Sequence, residues 1–377
     1  MEIKRRIQQQ ITTLLVPNKV NVIFGSRRTG KTYLLDKLAK DSPFKILLLE
    51  GEDADTHVLL AERSVANYRR LLEGVELLMI DEAQAIPDIG KVLKLMVDQV
   101  SGLRIIATGS SAFDLANQAG EPLTGRAYFH TLYPVAQLEL SPTQSLLEIR
   151  QQLPDRLVLG GYPELFSLES QDECEQYLKT LVSAFLLKDI LAFDGIRNAA
   201  KIYDLLRLVA YQMGKEVSLE ELGRQLQMSK NTVEKYLDLL TKVFVVFKVG
   251  GYSRNLRKEI TKNSRWYFHD NGIRNALIND FRPLALRDDV GALWENYLIS
   301  ERLKKYAFTV GAAPDYYFWR TYDQQEIDWI EYQNGQLSAF EFKWTTQTAK
   351  IPKAFAESYP EASFEIIHRE NYLPFVQ

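Results

Sequence analysis

The sequence predicts an α/β protein built on a parallel sheet, with a further α/β module toward its C-terminal end. Three observations carry that expectation. Over residues 1–135 five short apolar runs alternate with helix-like stretches, as buried parallel strands and their crossovers do. The first run leads into a glycine-framed loop, Gly25-Ser26-Arg27-Arg28-Thr29-Gly30-Lys31-Thr32. Beyond residue 285, strand-like segments alternate charged with apolar residues around Asp328 and Glu341.

The loop follows Lys19-Val20-Asn21-Val22-Ile23-Phe24 and precedes the helix-like Tyr33-Leu34-Leu35-Asp36-Lys37-Leu38, the strand–loop–helix setting of a phosphate-binding G-x-x-x-x-G-K-[ST] segment. Gly25 and Gly30 let backbone N–H groups turn inward, with Ser26, Arg27, Arg28 and Thr29 between them. Lys31 supplies a point charge to β/γ-phosphates, and Thr32 offers its hydroxyl to Mg²⁺. A nucleoside triphosphate, ATP with Mg²⁺, is the expected ligand.

The strand runs are Val20–Phe24, Lys45–Leu49, Glu76–Ile80, Arg104–Ala107 and Ala127–His130. Ligands of such sheets sit at the carboxyl ends of the strands, so the chemistry should lie just after each run. After the third run comes Asp81-Glu82: Asp81 is placed to hold Mg²⁺, and Glu82 to polarise the attacking water. After the fourth comes Thr108-Gly109-Ser110-Ser111, where either Thr108 or Ser110 is placed to sense the γ-phosphate. Before the fifth, Arg126 is positioned as an arginine finger, acting in trans if the protein oligomerises.

Residues 141–210 read as amphipathic helices broken at Gly160-Gly161-Tyr162-Pro163. In the stretch 217–250, Val217-Ser218 opens one capped helix and Ser229 caps a second, Lys230–Leu240, before the strand-like Val243–Val249. Helix–turn–helix followed by a hairpin is a winged-helix pattern. Lys230, Asn231 and Lys235 would then face a major groove, and Arg254, Arg257, Lys258, Lys262 and Arg265 would contact phosphates from the wing.

In the last hundred residues, helix 289–306 carries Glu295 on a face shared with Ile299, Leu303 and Tyr306. Tyr316–Arg320 reads as a strand. Alternation in Glu326-Ile327-Asp328-Trp329 puts Glu326 and Asp328 on one face and Ile327 and Trp329 on the other. Past the turn Gln333-Asn334-Gly335, Glu341 and Lys343 alternate with Phe340 and Phe342. A hairpin would bring Asp328 and Glu341 together as Mg²⁺ ligands, with Lys343 stabilising charge or helping to deprotonate a water. Helix 352–359 and strand 364–367 follow.

Composition narrows the classes. Formal net charge is −3, so no global basic field advertises nucleic acid. The single cysteine, Cys174, excludes an intramolecular disulfide. Met1–Arg6 lacks the apolar core of a signal peptide, and no apolar run approaches the length of a membrane span. The expected location is the cytoplasm, with no membrane partner.

The phosphate loop, Asp81-Glu82, the polar fourth-strand end and Arg126 resemble the AAA+ superfamily. The resemblance implies strand order 5-1-4-3-2, a helical lid behind the nucleotide and frequent homo-oligomerisation. The arrangement of Glu295, Asp328 and Glu341-Phe342-Lys343 resembles the PD-(D/E)xK nucleases, though Glu326-Ile327 stands where a proline is frequent. The whole chain is similar to a large prokaryotic family of AAA+ ATPases with a C-terminal domain of unknown function. That similarity also rests on Asp81-Glu82-Ala83-Gln84, Lys188-Asp189-Ile190, Tyr267–Gly272 and Trp319-Arg320. The expected organisation is an AAA+ domain at 1–140, a helical lid at 141–205, a winged-helix region at 206–270 and a nuclease-like domain at 285–377. The expected function is ATP hydrolysis coupled to action on or near DNA. The rival is a nucleotide-dependent switch whose C-terminal domain binds a partner and cuts nothing.

Overall fold

The structure is a computed structural model and describes residues 3–109, 123–186, 199–253, 264–309, 311, 313–321, 323–346 and 348–377. The chain forms two compact units: residues 1–135 with 242–244, and residues 136–241 with 245–377.

In the first unit the order is α1 (Ile7–Thr13), β1 (Lys19–Phe24), α2 (Lys31–Lys40), β2 (Ile46–Glu50), α3 (Ala54–Ala61), α4 (Val65–Leu71), β3 (Leu77–Asp81), α5 (Ile89–Gln99), β4 (Arg104–Gly109) and β5 (Ala127–Thr131). All five strands are parallel, in the order β2-β3-β4-β1-β5, the expected order counted from the other edge. The central strands β3 and β4 have apolar residues buried on both faces, which is why they read as continuous apolar runs. Helix α5 buries Ile89, Val92, Leu93, Met96 and Val97 in the same core as Val22, Ile80 and Ile105. Each such side chain is worth roughly 1.5–3 kcal/mol of transfer free energy. The α3 and α4 starts are capped by Asp53 and Ser64.

Strands β3 and β4 run past their apolar cores, so Asp81 and Thr108 are strand residues rather than the first residues of loops. The reason is backbone satisfaction. The Gly51 N–H donates to the Asp81 carbonyl at 2.8 Å, extending the ladder beyond the apolar run.

The second unit contains α6 (Leu146–Leu159), α7 (Gln171–Thr180), α8 (Ala199–Tyr211), β6 (Glu216–Val217), α9 (Leu219–Leu226), α10 (Lys230–Lys242), β7 (Val246–Gly251) and β8 (Ser264–Phe268). There follow α11 (Asn271–Ile278), α12 (Val290–Ala307), β9 (Asp315–Arg320), β10 (Glu326–Gln333), β11 (Gln336–Phe342), α13 (Lys353–Ser358), β12 (Ser363–Ile367) and α14 (Leu373–Val376). Its strands form one sheet, β12-β11-β10-β9-β7-β8-β6. The stretches expected as a winged-helix region and a nuclease-like domain therefore share a sheet, joined where Gly250 and Gly251 pair with Tyr317 and Phe318.

Residues 141–205, expected as a lid on the ATPase domain, fall in this second unit. Helix α6 ends against α11: Asn271 and Asn275 donate side-chain amides to the Leu157 and Val158 carbonyls at 3.1 and 2.8 Å. Those carbonyls are last-turn acceptors with no intrahelical partner, and buried asparagines satisfy them. Helical periodicity carries no trace of that pairing.

Strand β10 departs from strict alternation. Its pairing with β9 shifts register between Ile327 and Ile330, so those two isoleucines share a core with Trp319, Ala339 and Phe355. Strict alternation would have placed Trp329 with Ile327. The bulge turns it away, to stack on Tyr316 at 4.9 Å and donate to Glu331 at 2.8 Å. The hairpin itself forms as expected, with Asn334 and Gly335 both at positive φ in the two-residue turn. Among the described residues, no helix is long and apolar enough to cross a membrane.

Candidate functional site

The phosphate loop closes tightly on the sheet. A Cβ on Gly25 would lie 2.3 Å from the Leu132 carbonyl oxygen, and Gly30 sits at φ +91°, so both positions require glycine. Thr29, fully buried, donates its hydroxyl to the Ser26 carbonyl at 2.8 Å. Arg5 clamps the loop from outside: one guanidinium nitrogen donates to the Thr29 carbonyl at 2.8 Å, another to the Tyr133 carbonyl at 2.6 Å. Lys31 is buried, with its ammonium donating to the Gly25 and Ser26 carbonyls at 3.0 and 3.2 Å. Arg28 is exposed at φ +64° and Arg27 is half-buried.

Thr32, at the start of α2, donates its hydroxyl to Asp81 Oδ2 at 2.6 Å. A hydroxyl and a carboxylate side by side can supply the protein ligands of a Mg²⁺ ion whose other ligands are water and phosphate. The other oxygen of Asp81 accepts from the Thr108 hydroxyl, and Thr108 Oγ1 in turn accepts the Glu82 N–H at 3.0 Å. Thr108 is thus the brace between β3 and β4, holding Asp81 and the backbone of Glu82.

Glu82 occupies left-handed backbone space at φ +45°, unusual for a residue with a side chain and a recurrent form of stored strain at functional sites. Its carboxylate lies 4.0 Å from the Lys31 ammonium and accepts from the Gln84 amide at 2.5 Å. At the end of β2, Glu50 pairs in register with Asp81. Burial, followed by the charge of Asp81, holds its carboxyl above the usual range. Glu50 and Gln84 are site neighbours that the strand-end reasoning did not single out, although Gln84 belongs to the Asp81–Gln84 run.

Ser110 lies outside the described residues, as do Ser111 and the Lys188-Asp189-Ile190 run. Arg126 precedes β5 and bonds Asp98 Oδ1 at 2.7 Å. Since Val20 pairs with Ala127, Arg126 stands at the amino end of the sheet, whereas the loop leaves the carboxyl end of β1. About 13 Å of strand separates the two ends, further than an arginine side chain reaches. It cannot serve its own loop.

The C-terminal carboxylates gather in the second unit. Tyr267 donates to Glu295 Oε1 at 2.5 Å, the Phe342 N–H donates to Asp328 Oδ2 at 2.8 Å, and Lys343 donates to Glu341 Oε1 at 2.7 Å. Glu341 Oε2 is buried without a hydrogen-bond partner among the described residues. Burial, then the charges of Glu295 and Glu341, push the Asp328 carboxyl well above its ordinary value. Burial likewise raises Glu295, against the charge of Arg265. For Lys343 burial works downward, but the hydrogen bond and charge of Glu341, with Asp328 and Glu326, hold it above the ordinary lysine value.

Arg265 is where the structure departs most from expectation. Instead of contacting phosphates from a wing, it is 3% exposed and sits among these carboxylates. Its guanidinium lies 3.6 Å from Glu295, 3.8 Å from Asp328 and 2.8 Å from Glu326, with its carbon 4.5 Å from the centre of the Phe318 ring. Burial would lower its pKa, but Tyr267, Glu295, Asp328 and Glu326 together raise it. A run of basic residues made Arg265 look like the end of a wing, while its strand position in β8 decides its environment. The other expected wing cations, Arg254, Arg257, Lys258 and Lys262, lie outside the described residues.

Among the described residues, no three His, Cys, Asp or Glu side chains converge closely enough to cage a metal ion. Two carboxylates, Asp328 and Glu341, are the protein ligands on offer, and the orphaned Glu341 oxygen fits a cation. On α9 and α10, Ser218 and Ser229 cap as expected, accepting the Glu221 and Thr232 N–H groups at 3.3 and 3.1 Å. Lys230, Asn231 and Lys235 are exposed, but Lys230 is paired with Glu220 at 2.6 Å.

Comparison with known proteins gives a consistent division. A family model described as an AAA domain matches residues 17–141, and two described as domains of unknown function (DUF8612 and DUF4143) match 150–284 and 290–373. An uncharacterised protein of Mycobacterium tuberculosis, Rv2008c, is 31% identical over 333 residues, spanning 87% of this chain and 70% of that protein. An uncharacterised protein of Haemophilus influenzae is 25% identical over 349 residues, spanning 85% of this chain and 82% of its own. Among solved structures, a mutant of RuvB from Thermotoga maritima is 16% identical, covering 66% of this chain and 90% of that one, with a TM-score of 0.30.

Proposed function

The chain belongs to the same family as the uncharacterised mycobacterial protein Rv2008c, and with its AAA domain as the premise we propose that it binds and hydrolyses ATP. The observation that carries this reading is the junction of Thr32, Asp81, Thr108 and Glu82 beside the buried Lys31. Lys31 now bonds two loop carbonyls, and phosphate oxygens would take their place. Thr32 and Asp81 would hold Mg²⁺, which supplies charge neutralisation on the phosphates. Glu82 accepts the proton of the attacking water, with Gln84 fixing its carboxylate. If Arg126 serves as an arginine finger it does so across a subunit boundary, because it stands too far from its own loop. Lys31→Ala tests the reading directly. Binding of a labelled ATP analogue should be lost, and retention of wild-type affinity would reject the site.

The second unit, on this proposal, acts on or near DNA through a winged-helix-like element at α9, α10 and the β7–β8 hairpin. What supports reading its C-terminal part as PD-(D/E)xK-like is the order α12, β9, β10, β11, α13, β12 and the gathering of Glu295, Asp328, Glu341 and Lys343. Asp328 and Glu341 would hold Mg²⁺, whose chemistry there is activation of water against a phosphodiester. Lys343 is held in its charged form, which suits stabilising a developing negative charge better than taking a proton. Incubation with assorted DNAs, ATP and Mg²⁺ or Mn²⁺ tests this, with cleavage expected to vanish in Glu341→Ala while ATP hydrolysis persists. A second reading, a nucleotide-dependent adaptor that cuts nothing, is favoured by one observation: an arginine already occupies the carboxylate cluster.

A further inference from the structure

We propose that Arg265 is a built-in counter-ion of the Asp328–Glu341 site, competing with a divalent cation and withdrawing toward Glu326 when one binds. The proposal rests on the metal-binding reading of that site.

Its basis is the unequal way Arg265 is held. The guanidinium makes one hydrogen-bond-length contact with a carboxylate, to Glu326 at 2.8 Å, and Glu326 stands at the rim with its side chain 45% exposed. The deep carboxylates of Glu295 and Asp328 are 3.6 and 3.8 Å away, beyond hydrogen-bonding distance, so charge alone ties Arg265 to them. A buried arginine kept for structure ordinarily has its donors satisfied. Here Nε is buried with no partner among the described residues, and so is Glu341 Oε2. An unpaired donor and an unpaired acceptor thus coexist in one cluster without meeting. The guanidinium balances the charge of the cluster but does not saturate it. A compact dication between Asp328 and Glu341 would satisfy the orphaned oxygen and make the inner contacts of Arg265 redundant. Glu326 and the face of Phe318 are already in place to receive the displaced guanidinium.

The test is Mn²⁺ binding to the nucleotide-free full-length protein, followed by calorimetry and by the shift of melting temperature. Arg265→Met should bind Mn²⁺ at least tenfold more tightly than wild type, and its melting temperature should rise with Mn²⁺ more steeply. Adding Glu341→Gln should abolish the gain, which locates the ion. Arg265→Lys, which keeps the charge and protects the fold, should fall between the two. If the Met variant does not fold without metal, recovery of its melting transition on adding Mn²⁺ serves as the readout, and no recovery counts against the proposal. Equal, measurable Mn²⁺ affinity in wild type, Arg265→Lys and Arg265→Met would overturn the counter-ion role while leaving the metal site standing. No Mn²⁺ binding at Glu341 in any of them would remove the metal reading and the proposal with it.

Discussion

Replacing Thr108 by valine tests whether the hydroxyl braces the ends of β3 and β4 for the proposed hydrolysis. Thr108 is fully buried, and its Oγ1 joins Asp81 Oδ1 to the backbone N–H of Glu82. Valine keeps the branched shape but removes both hydrogen bonds. Asp81 then loses one of its anchors, and the Glu82 N–H keeps only the 3.2 Å contact with Asp81 Oδ1. A hydrogen bond to a charged group is worth about 1.5–3 kcal/mol. If that loss is felt fully in the transition state, kcat falls by about 10- to 150-fold. ATP affinity should change by less than about threefold, because Lys31 and the loop backbone, the proposed source of most ground-state contact, are untouched. Steady-state phosphate release and binding of a labelled ATP analogue separate the two effects. Thr108→Ser restores the hydroxyl and should recover most of kcat. A valine variant that hydrolyses within twofold of wild type, or a serine variant as slow as valine, would refute the bracing role.

Glu82→Gln should retain ATP and slow its hydrolysis by about two or more orders of magnitude, since it removes the proposed proton acceptor and keeps the shape; trapped nucleotide measured after gel filtration checks this. Mixing Arg126→Ala with Lys31→Ala protein should restore part of the activity that neither has alone, provided the two are shown to co-assemble. Acid should weaken the first unit through His130. Burial lowers the pKa of this imidazole from 6.5 to about 4, with Asn21 Oδ1 at 2.9 Å from Nε2. A depressed folded-state pKa means the stability is present above pH 6.5 and lost as pH falls toward 4, by roughly 3 kcal/mol in all. Melting curves of wild type and His130→Gln between pH 7 and 4 should converge at the acid end.

Much of the first unit was legible in the sequence because its signals are local. A loop framed by Gly25 and Gly30, a buried run before it and a helix after it fix backbone direction within a dozen residues. The parallel strands announce themselves because both of their faces are apolar. Local signals failed where one contact between distant residues decides the outcome. Gln84 and Glu50 join the site through a side-chain amide and a strand register. Helix α6 belongs with α11 because buried asparagines meet its last carbonyls.

The second unit divides the same way. Alternation in the sequence was enough to expect the hairpin and the gathering of Asp328, Glu341 and Lys343, since period-two patterning is a property of the strand itself. It could not register the bulge between Ile327 and Ile330, which turns Trp329 away from the isoleucine core. Nor could it find Arg265 among the carboxylates. A basic residue at the end of a basic run reads as solvent-facing, because charge in water costs nothing. Only the tertiary fold, by surrounding Arg265 with Glu295, Glu326, Asp328 and the Phe318 ring, makes burial of that cation affordable and turns it into part of the site.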